Sequence, residues 1–401
     1  MKLVNQQLIK NSNLKRIYHF VHQSQGISRA QLAKQSHLSK TTVSALVDEL
    51  LERNFLMDTG TSDWGHVGRK PNSLHLKPEQ HYVAVMCWGE QGITGQLVDI
   101  CGSGLDRHCL SVSPAESYVR SSQRLFSEKL LPSIDRKQLL GICIVVPAMI
   151  DPDAGEIFST TFPLPDKQTE DTVGQLEQAF PEYPVALLND TACTAYAEKI
   201  YTGIREKDFA FINFSRGIGA ALFIQDTLLG KATASCTQFG HYSIDPNGEE
   251  CSCGNRGCLE LAIGESSLPA RLAKAGGRSP LKKLDHITYQ ELGRSAIYGD
   301  AAARKVIREI ASDLCLALGN LVCTVHPRLI IIGGKGKDLG PVFLEDVQEI
   351  LKNTGFRRML DSVRIRYGLL DENACFNGAM KYFFDIHYNF TQDMTGRFFI
   401  G

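Results

Sequence analysis

His241, Cys251, Cys253 and Cys258 fall within one short run, residues 240–260, GHYSIDPNGEECSCGNRGCLE. The order is His, then Cys-x-Cys, then a third Cys after four more residues. One imidazole and three thiolates complete a tetrahedral set for zinc. No position is left for water, so such an ion would be structural rather than catalytic. Gly254 and Gly257 allow the backbone to wrap closely around it. The competing account is a set of unconnected buried thiols, and the tight, glycine-punctuated spacing favours the metal. A second group is Asn189 with Asp190, directly after an apolar stretch at 185–188. An amide and a carboxylate together can bind the vicinal hydroxyls of a sugar. Asp190 could also act as a general base, or could simply cap a helix over 191–200. Gly217-Ile218-Gly219 and Gly333-Gly334 could approach phosphates, but such short pairs are often only tight turns.

These groups need elements to hold them. From about Tyr82 the texture alternates between strands and helices. Residues 82–86 and 95–100 read as paired strands, 140–146 and 185–188 as buried strands. Residues 209–214 and 328–332 run into glycine-containing turns. Apolar strands that end in such turns before helices predict an α/β protein with ligands gathered at the carboxyl ends of its strands.

The first eighty residues read differently. Leu14, Ile17, Tyr18 and Val21 share one face of a helix over 14–23, which Gly26 stops. Ser28 with Gln31 forms a capping box, and Ile27 and Leu32 hold staple positions. Ser39 repeats the grammar, between Leu38 and Val43. Two capped helices, 28–35 and 39–53, three residues apart, predict a helix-turn-helix. Ser28 and Arg29 open the first and are expected to contact DNA as well. Ser39, Lys40, Thr41, Thr42 and Ser44 open the second, where short polar side chains can reach bases and phosphates. Val43, Leu46, Val47, Leu50 and Leu51 form the opposite face, and Asn54 suits a left-handed C-terminal cap. Short strands at 55–57 and 73–76 around a polar loop would add a wing. That loop ends in Gly68-Arg69-Lys70-Pro71, and Arg69 and Lys70 on an extended backbone suit a minor groove.

Composition agrees with a soluble globular chain of two or three domains: 401 residues, 43% hydrophobic, 22% charged. The net charge of −1 excludes a globally basic nucleic-acid binder. It hides an asymmetry, because residues 1–80 hold 11 Lys+Arg against 6 Asp+Glu, so that segment carries +5 and the rest −6. No apolar run is long enough to span a membrane, and residues 1–11 lack a secretory core, so a cytoplasmic location is expected. Twelve cysteines are too dilute for a disulfide scaffold. Cys87, Cys101, Cys143, Cys193, Cys315 and Cys323 read as core thiols.

Together these pieces resemble the ROK family, which groups sugar-responsive repressors with sugar kinases. The zinc signature at His241 and 251–260 carries the likeness, together with the paired capped helices and the Gly-Arg-Lys-Pro linker of the repressor branch. That branch includes an N-acetylglucosamine repressor and a glucose-responsive paralogue. The resemblance implies an α/β chain with an N-terminal winged helix-turn-helix, then a two-lobed actin-like (ribonuclease H-like) sugar-kinase fold. The implied domains are 1–80, 81–194 completed by a C-terminal helix at about 377–401, and 195–376 with the zinc site. It also implies sugar contacts by Asn189, Asp190, Gln238, His241 and Glu260. Gln238 departs from the family, which usually has Glu there, so an inducer other than a plain hexose is favoured.

The kinase parts look eroded. Cys87-Trp88-Gly89 stands where the fold usually has Asp-x-Gly, Ser215-Arg216-Gly217 where it has a small phosphate loop, and Ala148 where it often has Gly. Asp190, the family's catalytic base, survives, but a base without a nucleotide site transfers nothing. The expectation is a non-enzymatic transcriptional regulator, a repressor. It would bind double-stranded operator DNA as a homodimer, with a tetramer as a further option, and answer to a sugar or sugar phosphate. An ATP-dependent sugar kinase is the alternative from the enzyme class. Control by a membrane transporter subunit, as in one relative, is the third.

Overall fold

The computed structural model describes residues 2–24, 26–61, 72–113, 116–151, 153–160, 164, 169–215, 217–230, 237–354 and 357–391. The chain begins with α1 (Lys2–Gln23), α2 (Arg29–Ser36) and α3 (Lys40–Glu52), then β1 (Leu56–Thr61) and β2 (Asn72–Leu76) as an antiparallel ribbon. α1 starts twelve residues earlier than its apolar stripe predicts. Its added turns lie outside the stripe that packs on the core, and Leu8 and Ile9 there are exposed. Ser28 and Gln31 make the expected reciprocal capping box, and Ser39 caps α3 through the Thr42 amide. A lost cap of this kind costs about 1 kcal/mol. Val43, Leu46, Val47 and Leu50 are buried, and Asn54 takes the left-handed conformation just past α3.

The next segment is β3 (Tyr82–Gly89), β4 (Gly92–Asp99), β5 (His108–Leu110), α4 (Tyr118–Leu125) and β6 (Leu139–Val146). It continues through β7 (Ala148–Asp151), β8 (Glu156–Thr160), α5 (Thr172–Ala179), β9 (Val185–Asn189) and α6 (Asp190–Tyr201). The first sheet has the order β5-β4-β3-β6-β9, antiparallel through β3 and parallel beyond it. β6 is buried along its whole length, as an inner strand covered on both faces must be.

A second sheet repeats the plan. β10 (Phe209–Phe214), β11 (Ile218–Ile224), β12 (Thr227–Leu228), α7 (Leu259–Ile263), α8 (Leu268–Ala275), α9 (Tyr289–Ile297) and α10 (Ala301–Val325) come first. β13 (Leu329–Gly334), α11 (Gly340–Leu351), α12 (Arg357–Leu360), β14 (Arg364–Tyr367) and α13 (Ala374–Tyr382) close it. Its order is β12-β11-β10-β13-β14, again antiparallel hairpins followed by parallel strands. The turn after β10 therefore leads into a hairpin strand, not the helix that its glycines suggested.

Three further expectations shift. Asp190 is the first residue of α6 and Asn189 is its cap, so the capping role belongs to the asparagine. A domain boundary at 194/195 would cut through α6. Cys323 is exposed on α10 rather than buried. The C-terminal helix starts at Ala374, ends in a π-helical turn, Phe383–His387, and packs on α6 and the first sheet. The core of the N-terminal helices is continuous with the one under that sheet.

Candidate functional site

Between the two sheets lies a cleft of about 1460 Å³ lined from both lobes. The β3–β4 hairpin, Pro147–Met149 and the start of α6 form one wall. The β10–β11 turn, Gln238, His241, Glu260 and Gly334-Lys335 form the other. The structure thus brings Asn189, Asp190, Gln238, His241 and Glu260 to one cavity.

Each is held by its own element. The Asn189 amide is largely committed to the fold, because Oδ1 accepts from the Ala192 amide at 2.9 Å and Nδ2 donates to the Ala148 carbonyl at 3.0 Å. Asp190 next to it keeps part of its surface at the cleft while its carboxyl is enclosed, and Oδ1 accepts from the Thr191 amide at 2.7 Å. Burial pushes its carboxyl up to about 6, against the opposing pull of the Thr191 hydrogen bonds. Thr191 also ties the lobes together, accepting from Asn213 Nδ2 at 2.9 Å.

His241 ends a short 3-10 turn, Phe239–His241, and Glu260 sits in the first turn of α7. Gly240 permits their approach to β11, since a Cβ there would stand 2.3 Å from the Ile218 carbonyl. His241 Nδ1 lies 3.6 Å from Cys251 Sγ and 3.4 Å from Glu260 Oε1. Cys253 Sγ lies 3.6 Å from Cys258 Sγ. The four donor atoms of His241, Cys251, Cys253 and Cys258 all fall within 4.8 Å of one another. Ligands about 2.0–2.3 Å from a tetrahedral ion are separated by roughly 3.5–3.8 Å, and the His241–Cys251 and Cys253–Cys258 spacings match that separation. The turn itself requires Gly257, whose φ is +60° and whose Cβ would collide with the Asp245 carbonyl. The residues therefore fit a metal, held by the loop and the helix that carry His241 and Glu260.

The cleft also gathers groups from separate elements that the sequence reading passed over. Lys335 pairs with Glu265 at 2.8 Å, Trp88 donates to Ser122 Oγ at 2.9 Å, and His286 lines the same wall. Lys335 had a local signal, directly after Gly333-Gly334, and Trp88 had one in Cys87-Trp88-Gly89, whereas His286 had none. Cys87, at the end of β3, faces the cleft. Its partner Cys375 and burial together push its thiol well above the ordinary value. A neutral thiol there offers no carboxylate for Mg²⁺.

Ser39, Lys40, Thr41 and Thr42 are exposed at the start of α3, with Ser44 half-buried behind them. Two expected DNA contacts are occupied otherwise. Ser28 is buried, with its hydroxyl engaged by Gln31. Arg29 clamps α2 to α3 through Asp48 at 2.7 Å and the Ser44 carbonyl. Arg69, Lys70 and Arg216 lie outside the described residues. Among those described, no helix is long and apolar enough to cross a membrane.

A model of the ROK family matches residues 94–385. A putative xylose repressor from Caldicellulosiruptor is 28% identical, covering 94% of this chain and 96% of its own. The DNA-binding transcriptional dual regulator NagC of Escherichia coli is 25% identical over 92% of each chain. A solved ROK family transcriptional regulator, homologous to the E. coli MLC protein, superposes with a TM-score of 0.79. It is 21% identical and covers 93% of this chain and 96% of its own.

Proposed function

The chain belongs to the ROK family, and from that premise we propose that it is a sugar-responsive DNA-binding repressor of carbohydrate genes. The observation that carries the reading is the pairing of two things in one chain. An exposed polar helix start lies on α3, and a two-lobed cleft holds Asp190, His241 and Glu260. α1 to α3 with the β1–β2 ribbon act as a winged helix-turn-helix. Lys40, Thr41 and Thr42 enter a major groove, and Arg69 and Lys70 enter the adjacent minor groove. Two copies bind a palindromic operator as a homodimer, and the protein works in the cytoplasm.

In the cleft, Asp190 and Glu260 accept from sugar hydroxyls, and the Gln238 amide can both donate and accept. His241 lines the cleft, and its Nδ1 lies against Cys251 and Glu260. A zinc ion, when bound, supplies a fixed tetrahedral brace and no reactive water. The His241 ring orientation, and through it the sugar contacts, then depends on the thiolate set. The effector acts by preferring one closure of the lobes, and so one placement of the DNA-binding helices.

A kinase reading keeps one observation in its favour, the survival of Asp190 with its carboxyl raised toward neutrality. Cys87 in place of a metal-organising carboxylate argues against it. Operator binding weakened by a sugar, with no nucleotide-dependent phosphorylation of that sugar, supports the repressor. Phosphorylation abolished by Asp190→Asn would support the kinase.

A further inference from the structure

α6 opens at the cleft with Asp190, and six residues on, roughly 9 Å along the axis, it presents Tyr196. Tyr196 Oη donates to Asp385 Oδ2 at 2.7 Å. Asp385 lies in the π-helical turn that ends α13. Its other carboxylate oxygen pairs with Lys381, which is fully buried. Its backbone carbonyl accepts from Lys15 Nζ of α1 at 2.6 Å. One residue therefore joins α6, α13 and α1.

The surroundings make this junction stiff. A Cβ on Gly378 of α13 would stand 1.8 Å from the Cys193 carbonyl of α6, so the two helices touch backbone to backbone. Cys375 Sγ sits 3.9 Å from the Asp190 carbonyl and holds the start of α13 at the cleft floor. At the far end Tyr18 of α1 packs on Phe384, ring centroids 4.3 Å apart, with Lys381 Nζ 5.3 Å from the Tyr18 centroid. The π turn matters because carbonyls at the end of a helix lack intrahelical partners. Lys15 takes one of them. α1 in turn packs on α2 and α3.

We infer that Asp385 is a positioning residue that couples effector occupancy at Asp190 to the placement of α1, and so of the helices that read DNA. The inference rests on the regulator reading above. Movement of α6 on lobe closure carries Asp385 with it through Tyr196, and the Lys15 contact passes the shift into α1. Removing the Asp385 carboxylate would strand the buried Lys381 ammonium and risk the fold. The informative variants are therefore Tyr196→Phe and Lys15→Met, which each delete one contact and keep the packing.

Operator affinity is measured with and without D-xylose, D-glucose, N-acetylglucosamine and its 6-phosphate, on full-length metal-loaded protein. The readout is the ratio of the two dissociation constants for the sugar with the largest effect on the wild type. Each variant should melt cooperatively, bind operator, and lose about fivefold or more of that ratio. The double variant should lose no more than either single one, because both cut the same link. Folded variants with the wild-type ratio, or losses that multiply in the double variant, overturn the inference. Amide hydrogen exchange of α1 needs no effector. Tyr196→Phe should speed exchange across residues 10–22 by about tenfold, and unchanged exchange overturns the coupling. If the wild type answers to none of the four sugars, the regulator reading falls, and the exchange result still decides whether Asp385 links α6 to α1.

Discussion

Asp190 should cost the folded protein stability, and the size of that cost can be worked out. Burial pushes its carboxyl up to about 6, whereas in an unfolded chain an aspartate titrates near about 4. Between those values the folded state holds a proton that the unfolded chain has lost. The protonated buried group is therefore favourable below about pH 4, and that stability is lost as pH rises through 6. Two pH units correspond to roughly 3 kcal/mol at neutral pH and to about half of that at pH 5. Asp190→Asn removes the buried charge and keeps an oxygen that can accept from the Thr191 amide. In metal-loaded, sugar-free protein at pH 7.5 the variant should melt about 4–6 °C above the wild type, with the gap about halved at pH 5. The same variant should lose its response to sugar. Thermal unfolding at the two pH values measures the effect. A variant that melts at or below the wild type at pH 7.5, or a gap of the same size at both pH values, refutes the reasoning.

Other perturbations separate the remaining parts. Cys253→Ser removes an exposed ligand with little packing. Bound zinc, melting temperature and sugar response should fall together, and an unchanged sugar response in a zinc-free variant would sink the bracing role. Lys40→Ala should weaken binding to all DNA sequences alike and reduce the salt slope of log affinity by about one per protomer, with melting unchanged. A slope equal to wild type would place Lys40 off the DNA. Gln238→Glu restores the carboxylate usual in the family, and calorimetry should find plain hexoses bound about tenfold tighter through a charge-assisted hydrogen bond. Equal affinity would mean that the amide does not set sugar choice.

What could be read in advance was what is local in sequence. The Ser28 and Ser39 caps and the Asn54 turn are fixed by neighbours within four residues, so their grammar survives without tertiary context. The His/Cys cluster was legible for the same reason, because its four residues lie within eighteen positions. One-residue questions were not. Whether Asn189 or Asp190 caps α6 depends on which side chain meets the Ala192 amide, and boundary placement of this kind is weakly encoded. The turn after β10 holds glycine whether a helix or a hairpin follows, and the pairing of Phe209 with Phe223 decides it. Ser28 and Arg29 looked like DNA contacts from their position alone, while the structure spends them on Gln31 and Asp48. Trp88, His286 and Lys335 share one cleft, and that grouping arises only when distant elements fold together. The same holds for Asp385 with Lys15, 370 residues apart.

The most direct test of the account is to mix the purified, zinc-loaded protein with fragmented genomic DNA from its source and sequence what it retains, with and without sugars. The account predicts an enriched palindromic site beside carbohydrate transport or catabolic genes, released by one sugar or sugar phosphate. Stable folded protein that enriches no site, or that phosphorylates a sugar with nucleotide through Asp190, would contradict it.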